Sequence, residues 1–177
     1  MAETGRSRVD LVVIDDSSSE PVRQYLEYLD FDVRRIPVGR GQHLVDALSH
    51  PSDAVALVIC GHGDTDGICL PELDPELAKS EPISGHLTPA DVYECASLTR
   101  QMVVSTACCS GSQAFAKSFL AAGASSYIGP EGYPEATAAL AFVTRLFYER
   151  SKGSSLRHAM RDAKFIDDET RTFEIYE

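Results

Sequence analysis

Short apolar runs alternate with amphipathic stretches along the chain, and this alternation predicts the elements of the fold. Largely apolar runs predict six strands, at Val9–Ile14, Phe31–Ile36, Ala54–Cys60, Met102–Thr106, Ser125–Ile128 and Thr172–Tyr176. Apolar residues at helical spacing predict helices around Val22–Leu29, Leu44–Leu48, Phe115–Leu120, Leu140–Phe147 and Leu156–Ala163. Strands that alternate with helices favour an α/β three-layer sandwich, in which a mostly parallel sheet of about six strands has helices on both faces.

Local signals mark where several of these elements begin and end. Ser17–Glu20 and Thr88–Asp91 both have the pattern of a capping box ahead of a helix. Gly123 and Gly153 are expected to end helices, because glycine readily adopts the left-handed conformation found there. Gly61–Leu87 is rich in Gly, Pro, Asp and Glu, so we predict a long irregular loop there, and loops of this length are usually functional.

Length and composition indicate a single globular domain over residues 1–177, with a flexible N-terminus at residues 1–8. The formal net charge of −11 disfavours nucleic-acid binding, because an acidic surface repels phosphates. No apolar run is long enough to span a bilayer, and the polar start does not resemble a signal peptide. We therefore expect a cytoplasmic protein that does not contact a membrane.

Cysteine usage argues against a disulfide framework. The count is odd and the chain is not small, so reduced thiols are expected, and at least one thiol is expected to be reactive. The five cysteines are Cys60, Cys69, Cys95, Cys108 and Cys109.

Two of the predicted strand ends carry residues with chemistry. Ligands of parallel α/β sheets bind beyond the carboxyl ends of the strands. The third strand ends in Cys-Gly-His-Gly and the fourth runs into Ala-Cys-Cys-Ser-Gly, so His62 and Cys108 are expected at the same edge. A thiol that attacks a carbonyl needs a base nearby, and His62 suits that role. We also expect an imidazolium and the start of the helix after Gly111 to lower the pKa of Cys108.

Backbone amides beside this pair suit an oxyanion hole. Gly63 leaves room for a substrate near its N–H, and the N–H of Cys108 could be the second donor. These residues predict a site for acyl transfer.

The two strand ends resemble the caspase-like cysteine peptidases, and most of all their bacterial CHAT branch. That family has an apolar strand ending in His-Gly and a later strand ending in Ala-Cys, as in Leu57–Gly63 and Val103–Gly111 here. The resemblance covers roughly residues 54 to 177. It implies a caspase-like fold and a cysteine-type endopeptidase in which Cys108 is the nucleophile and His62 the acid–base residue. If the strand ended one residue later, Cys109 would take the place of Cys108.

Substrate preference is less well defined by the motif. Thr106 stands where caspases have glutamine, so a caspase-type preference for aspartate is not expected. Asp15 and Asp16 end the first strand, where related enzymes often have a pocket residue that could attract a basic side chain. They could equally cap the following turn. Asp64 in the long loop and Thr106 are the other expected substrate-binding positions.

The resemblance implies a protein or peptide substrate and a reaction that uses water without an organic cofactor. No residue is assigned as a metal ligand, and the sequence does not reveal whether activity requires calcium. It also allows for an activating partner protein. The main alternative is a caspase-like fold that has lost activity and acts as a protein-binding or signalling module.

Two other classes fit the residues poorly. A receiver-like phosphoacceptor domain needs an aspartate after the third strand and a lysine after the fifth, where this chain has Cys60 and Gly129. A zinc site built from Cys60, His62 and Cys108-Cys109 lacks the usual ligand spacing. His86 is expected to be a solvated loop residue.

Overall fold

The computed structural model describes residues 6–177, so most of the predicted flexible N-terminus lies outside the described residues. The strands are β1 Arg8–Val13, β2 Asp32–Pro37, β3 Ala56–Cys60, β4 Gly63–Asp64, β5 Gly67–Cys69, β6 His86–Leu87, β7 Met102–Ser105, β8 Ser126–Pro130 and β9 Phe173–Tyr176. The helices are α1 Ser19–Tyr28, α2 Gly41–Ser49, α3 Pro75–Ala78, α4 Pro89–Cys95, α5 Gln113–Ala121, α6 Ala136–Ser151 and α7 Leu156–Lys164, followed by a 3-10 turn at Thr170–Thr172. Within residues 6–177, no helix combines the length and the apolar character that crossing a bilayer requires.

Six strands form the main sheet, in the order β2-β1-β3-β7-β8-β9. The first five are parallel, and β9 closes the edge antiparallel to β8. This confirms the predicted mostly parallel sheet. β3 is buried along its whole length, as expected for a central strand with helices on both faces.

Helices cover both faces of this sheet and complete the three-layer sandwich. One apolar core lies between the sheet and α1, α6 and α7, and includes Val22, Phe142 and Met160. The other lies between the sheet and α2, α4 and α5, and includes Leu44 and Phe119. Successive residues of β3 alternate between the two cores, because side chains of a strand point to opposite faces.

The capping signals are only partly realised. At Thr88 the predicted capping box forms, since its hydroxyl accepts from the Asp91 N–H and the Asp91 carboxylate accepts from the Thr88 N–H. The box predicted at Ser17–Glu20 is wrong. Ser18 precedes α1 without a side-chain cap, and the Asp16 carboxylate accepts from the N–H and the hydroxyl of Ser18 instead.

The predicted irregular loop at residues 61–87 is also partly wrong. It contains the antiparallel sheet β4-β5-β6 and the short helix α3. These strands have only two or three residues each, too few to produce an apolar or alternating run in the sequence. We call β4-β5-β6 the small sheet.

A substitution at Phe142 tests how β9, the closing strand, packs against α6. Its buried ring stacks on that of Phe173 in β9, with ring centroids 3.9 Å apart. We expect Phe142→Ala to lower the free energy of unfolding by about 3–5 kcal/mol, because it leaves a cavity between α6 and the sheet. Urea denaturation followed by circular dichroism measures the loss. Phe165→Ala is the matched control, since that ring is 79% exposed, and its effect should stay within about 0.5 kcal/mol. Equal stability losses in the two variants would contradict this packing.

Candidate active site

His62 and Cys108 follow adjacent parallel strands. Ile59 of β3 pairs with Ser105 of β7, so both chains leave the sheet at the same edge. His62 is exposed two residues beyond β3, and Cys108 is half-buried three residues beyond β7. Both residues line one small cavity of about 160 Å³. The two residues therefore border one cavity at the edge of the sheet where we expected them.

Gly63 brings the two loops into direct contact. A Cβ atom at this position would lie 2.4 Å from the carbonyl oxygen of Cys108 and 3.1 Å from its amide nitrogen. Contacts this short do not occur, so only glycine fits here without displacing the Cys108 backbone. The glycine after His62 thus sets the spacing between the two loops.

The amides expected to form an oxyanion hole are free of competing bonds. The N–H of Cys109 donates to the Gly132 carbonyl, whereas the N–H of Cys108 has no protein acceptor within residues 6–177. The Cys69 N–H donates to the His62 carbonyl. This bond makes Gly63 and Ile68 a non-hydrogen-bonded pair, so the Gly63 N–H points away from β5.

The turn after Cys108 is fixed by hydrogen bonds to the sheet. The Ser110 hydroxyl donates to the Ala107 carbonyl at 2.7 Å, and the buried Tyr127 hydroxyl donates to the Ser110 carbonyl at 2.8 Å. The Gly111 N–H donates to the Pro130 carbonyl, and a Cβ at Gly111 would lie 2.4 Å from the Gly129 carbonyl oxygen. The Ser-Gly of the motif therefore has a structural role, which is to hold this turn against β8.

The electrostatics of Cys108 differ from the sequence expectation. Burial raises the pKa of its thiol, and the neighbouring Cys109 adds to the rise. The prediction of a lowered pKa is therefore wrong for the unliganded protein, because desolvation of the half-buried sulfur outweighs the favourable dipoles around it. The Cys108 Sγ lies 3.9 Å from the carbonyl oxygen of Pro134, another residue of the cavity wall.

The four expected substrate-binding positions separate into two groups. Asp16 and Thr106 line the cavity with His62 and Cys108. Asp15 and Asp64 are not part of its wall. Asp15 is exposed and has a φ of 44°, so it forms the turn after β1.

Asp16 fixes the turn after β1, as one of the two interpretations from the sequence predicted. Its carboxylate fixes the turn through the two 2.7 Å bonds to Ser18, and it also borders the cavity. The pKa of the Cys60 thiol is raised to about 12. Burial is the largest cause, and the charge of Asp16 is the second. Asp16 therefore contributes negative charge near the carboxyl end of β3.

Thr106 and Cys60 both have structural roles at the end of β3. The N–H of Thr106 donates to the Ile59 carbonyl at 2.9 Å, and its hydroxyl donates to the same oxygen. Cys60 is completely buried, and all five thiols are free. Among the described residues, the groups with metal-binding geometry are Asp64, Cys69 and His86, and Glu149, His158 and Asp162.

Two residues near the cavity were not identified from the sequence. Tyr133 is 65% exposed, and its pKa is raised mainly by a hydrogen bond to Cys109. His86 is partly buried, with Nε2 3.1 Å from Asp64 Oδ2, so the expectation of a solvated loop residue is wrong. Both positions depend on contacts across long sequence separations. The length of the Gly61–Leu87 segment was a signal for His86 alone, and no sequence signal marked Tyr133.

Comparison with known proteins supports the fold assignment. No family model and no curated protein matches the chain. Fifteen chains of solved structures do match, among them the crystal structure of the Arg-specific cysteine proteinase gingipain R, with a TM-score of 0.62 and 10% sequence identity. The match covers 93% of this chain and 44% of the proteinase chain, so this chain spans less than half the length of that structure. The protein has a caspase-like fold.

The contact between the two loops can be tested by substitution. We expect Gly63→Ala to lower the free energy of unfolding by about 1–3 kcal/mol, because the new methyl group collides with backbone that cannot rotate away. Gly132→Ala is the control nearby, since its Cβ would meet nothing closer than 3.9 Å. Thermal and urea unfolding of both variants measure the difference. Unchanged stability of Gly63→Ala would contradict the close approach.

Proposed function

We propose that the protein is a cysteine-type endopeptidase in which His62 and Cys108 form the catalytic dyad. The observation that carries this proposal is the shared cavity at the carboxyl ends of β3 and β7, with Gly63 packed against the Cys108 backbone. The fold likeness to a cysteine proteinase supports the same reaction class. The motifs at residues 57–63 and 103–111 favour the CHAT branch of caspase-like peptidases.

The reaction follows from the roles of the two side chains. Cys108 Sγ forms a bond to the scissile carbonyl carbon while its proton passes to His62. His62 then protonates the departing amine, and an acyl-enzyme remains on Cys108. A water molecule, deprotonated by His62, attacks this thioester. The carboxylate product leaves, and the proton returns to the thiol.

The raised pKa of Cys108 affects when the proton moves. At neutral pH the thiol of the free protein is protonated, because burial disfavours the thiolate. Proton transfer to His62 is therefore coupled to the attack on the bound substrate. General-base assistance of this kind gives about 100- to 10,000-fold acceleration.

The amides of Gly63 and Cys108 are the proposed oxyanion hole. Neither is occupied by a backbone acceptor in the geometry described above. The two N–H groups belong to segments that can pack closely because residue 63 has no Cβ atom. Donors fixed in advance in this way stabilise the oxyanion without reorganisation.

For substrate preference, we propose a basic side chain before the cut, bound by Asp16. Asp16 is the carboxylate that borders the cavity, and the similar proteinase is specific for arginine. Thr106 lies in the same wall as a pocket residue. Asp15 and Asp64, which lie outside the wall, are less suited to contact that side chain.

One observation favours the alternative of a binding module. A thiol whose pKa is raised by burial is a poor nucleophile at rest. A caspase-like domain without activity could keep such a cysteine as a packing residue, so the decisive test has to measure covalent reaction at Cys108.

We expect a peptidyl acyloxymethyl ketone with arginine in the first position to label Cys108 selectively. His62→Ala should slow the labelling by at least about 100-fold, because the thiol then lacks its base. Intact-protein and peptide mass spectrometry locate the label and give the rate. Cys109→Ala is the control and should still be labelled at Cys108, at least as fast as the wild type, because Cys109 contributes to the raised pKa of Cys108.

Labelling that shifts to Cys109, or that is equally fast without His62, would rule out the proposed dyad. Absence of any labelling, with correct folding shown by circular dichroism, would favour the binding module.

The role of Asp16 predicts a change in specificity. Asp16→Asn keeps an oxygen to accept the Ser18 N–H but removes the charge. Charged hydrogen bonds contribute about 1.5–3 kcal/mol, so kcat/KM for arginyl substrates should fall by about 10- to 100-fold. The kcat/KM for substrates with a neutral residue before the cut should change little. Asp15→Asn is the control and should have the kcat/KM of the wild type on both kinds of substrate, because Asp15 lies outside the cavity wall. An equal loss of activity on arginyl substrates in Asp15→Asn would contradict the role of Asp16.

A further inference from the structure

We propose that Asp64, Cys69 and His86 bind a zinc ion beside the candidate active site. The three residues lie on the three strands of the small sheet, one on each. Cys69 and His86 are directly opposite each other in the pairing of β5 with β6. The proposed site is separate from the His62–Cys108 cavity, and the binding proposal does not require the peptidase activity.

The distances between the three ligand atoms suit a tetrahedral ion. Asp64 Oδ2 lies 3.1 Å from His86 Nε2 and 3.8 Å from Cys69 Sγ, and all three atoms lie within 4.8 Å of one another. Ligands at usual zinc bond lengths and tetrahedral angles are about 3.4 Å apart for N and O, and about 3.6 Å apart for S and O. Small side-chain adjustments therefore bring the three atoms onto one ion.

The Asp64 carboxylate is already oriented for this role. Its Oδ1 accepts from the N–H groups of Asp66 and Gly67, at 2.8 and 3.3 Å. These bonds fix the side chain in the turn and leave Oδ2 directed at Cys69 and His86. Outer hydrogen bonds that orient a ligand in this way are a usual part of metal sites.

The ligand chemistry favours zinc over calcium or magnesium. Thiolate and imidazole ligands suit zinc, whereas calcium and magnesium prefer oxygen atoms only. Cys69 and His86 also border an open cavity of about 460 Å³, which gives the ion a path from solvent. Binding releases the proton of the Cys69 thiol to solvent, and the ion takes the place of the direct contact between His86 Nε2 and Asp64 Oδ2. Water completes the coordination.

A second cluster of potential ligands shows why this one is preferred. Glu149, His158 and Asp162 are also close together, but both carboxylates already bind the guanidinium of Arg145, at 2.8 and 3.5 Å. That positive charge competes with a metal ion. The Asp64–Cys69–His86 cluster contains no arginine or lysine contact among the ion pairs of residues 6–177.

The proposed zinc site lies next to the segment that contains His62 and Gly63, so metal binding is expected to affect that segment. β4 begins directly after His62, and the Cys69 N–H donates to the His62 carbonyl at 3.0 Å. An ion that joins all three strands therefore stiffens the segment in which Gly63 contacts Cys108. Zinc binding should raise the unfolding temperature of the full chain.

Cobalt(II) titration of the full-length, metal-free protein tests the proposal directly. We expect one equivalent to bind, with a thiolate-to-cobalt charge-transfer band in the near ultraviolet and visible bands typical of tetrahedral cobalt, and zinc to displace it. Cys69→Ser should abolish the charge-transfer band. His86→Gln should weaken metal binding by at least about 100-fold, more than is usual for loss of an outer-shell partner. Calcium should not displace cobalt.

The matched controls are Cys95→Ser, another half-buried thiol, and His158→Gln in the second cluster, and both should bind cobalt like wild type. Cys108→Ser should also keep the spectrum. A band that survives in Cys69→Ser but disappears in Cys108→Ser would place the metal in the cavity and overturn the proposal. So would the absence of a cobalt–thiolate band in the wild type, or loss of metal binding in His158→Gln alone.

Discussion

The contact between Gly63 and the Cys108 backbone is the constraint on which the candidate site depends. Parallel pairing of β3 with β7 brings the two strand ends to one edge, but side chains would still hold the following loops apart. The missing Cβ of Gly63 removes that barrier. On the other side, Gly111 makes a similarly close approach to β8. Backbone contacts across three neighbouring strands therefore fix the position of Cys108.

The same close packing has an electrostatic cost. Loops that touch through their backbones leave little water around the sulfur, and its pKa rises as a result. His62, by contrast, is exposed. The free protein thus combines a half-buried thiol, whose pKa is raised, with an exposed imidazole. In the reaction that we propose, a bound substrate excludes the remaining water and brings the imidazole into line with the thiol.

The sequence predicted the main sheet and the two strand ends because these depend on local pattern. β3 is a continuous apolar run, and His62 and Cys108 directly follow predicted strands, so topology alone brings them together. The small sheet was missed, because strands of two or three residues carry no periodicity. The position of His86 could not be predicted without it. Ahead of α1, Asp16 bonds to Ser18 and the predicted box at Ser17–Glu20 does not form, because several short polar side chains can satisfy the backbone there and sequence alone does not decide between them.

The alternation of side chains along the strands of the small sheet explains why its polar cluster lies on the outer face. Ile68 of β5 and Leu87 of β6 are completely buried in the core beside α2 and α4. Their strand neighbours Cys69 and His86 therefore point to the opposite face, since successive residues of a strand alternate. Two apolar side chains thus anchor the sheet while its outer face carries the polar cluster. The anchoring holds the strands in register, and the bond from the Cys69 N–H to the His62 carbonyl joins the sheet to the segment before Gly63.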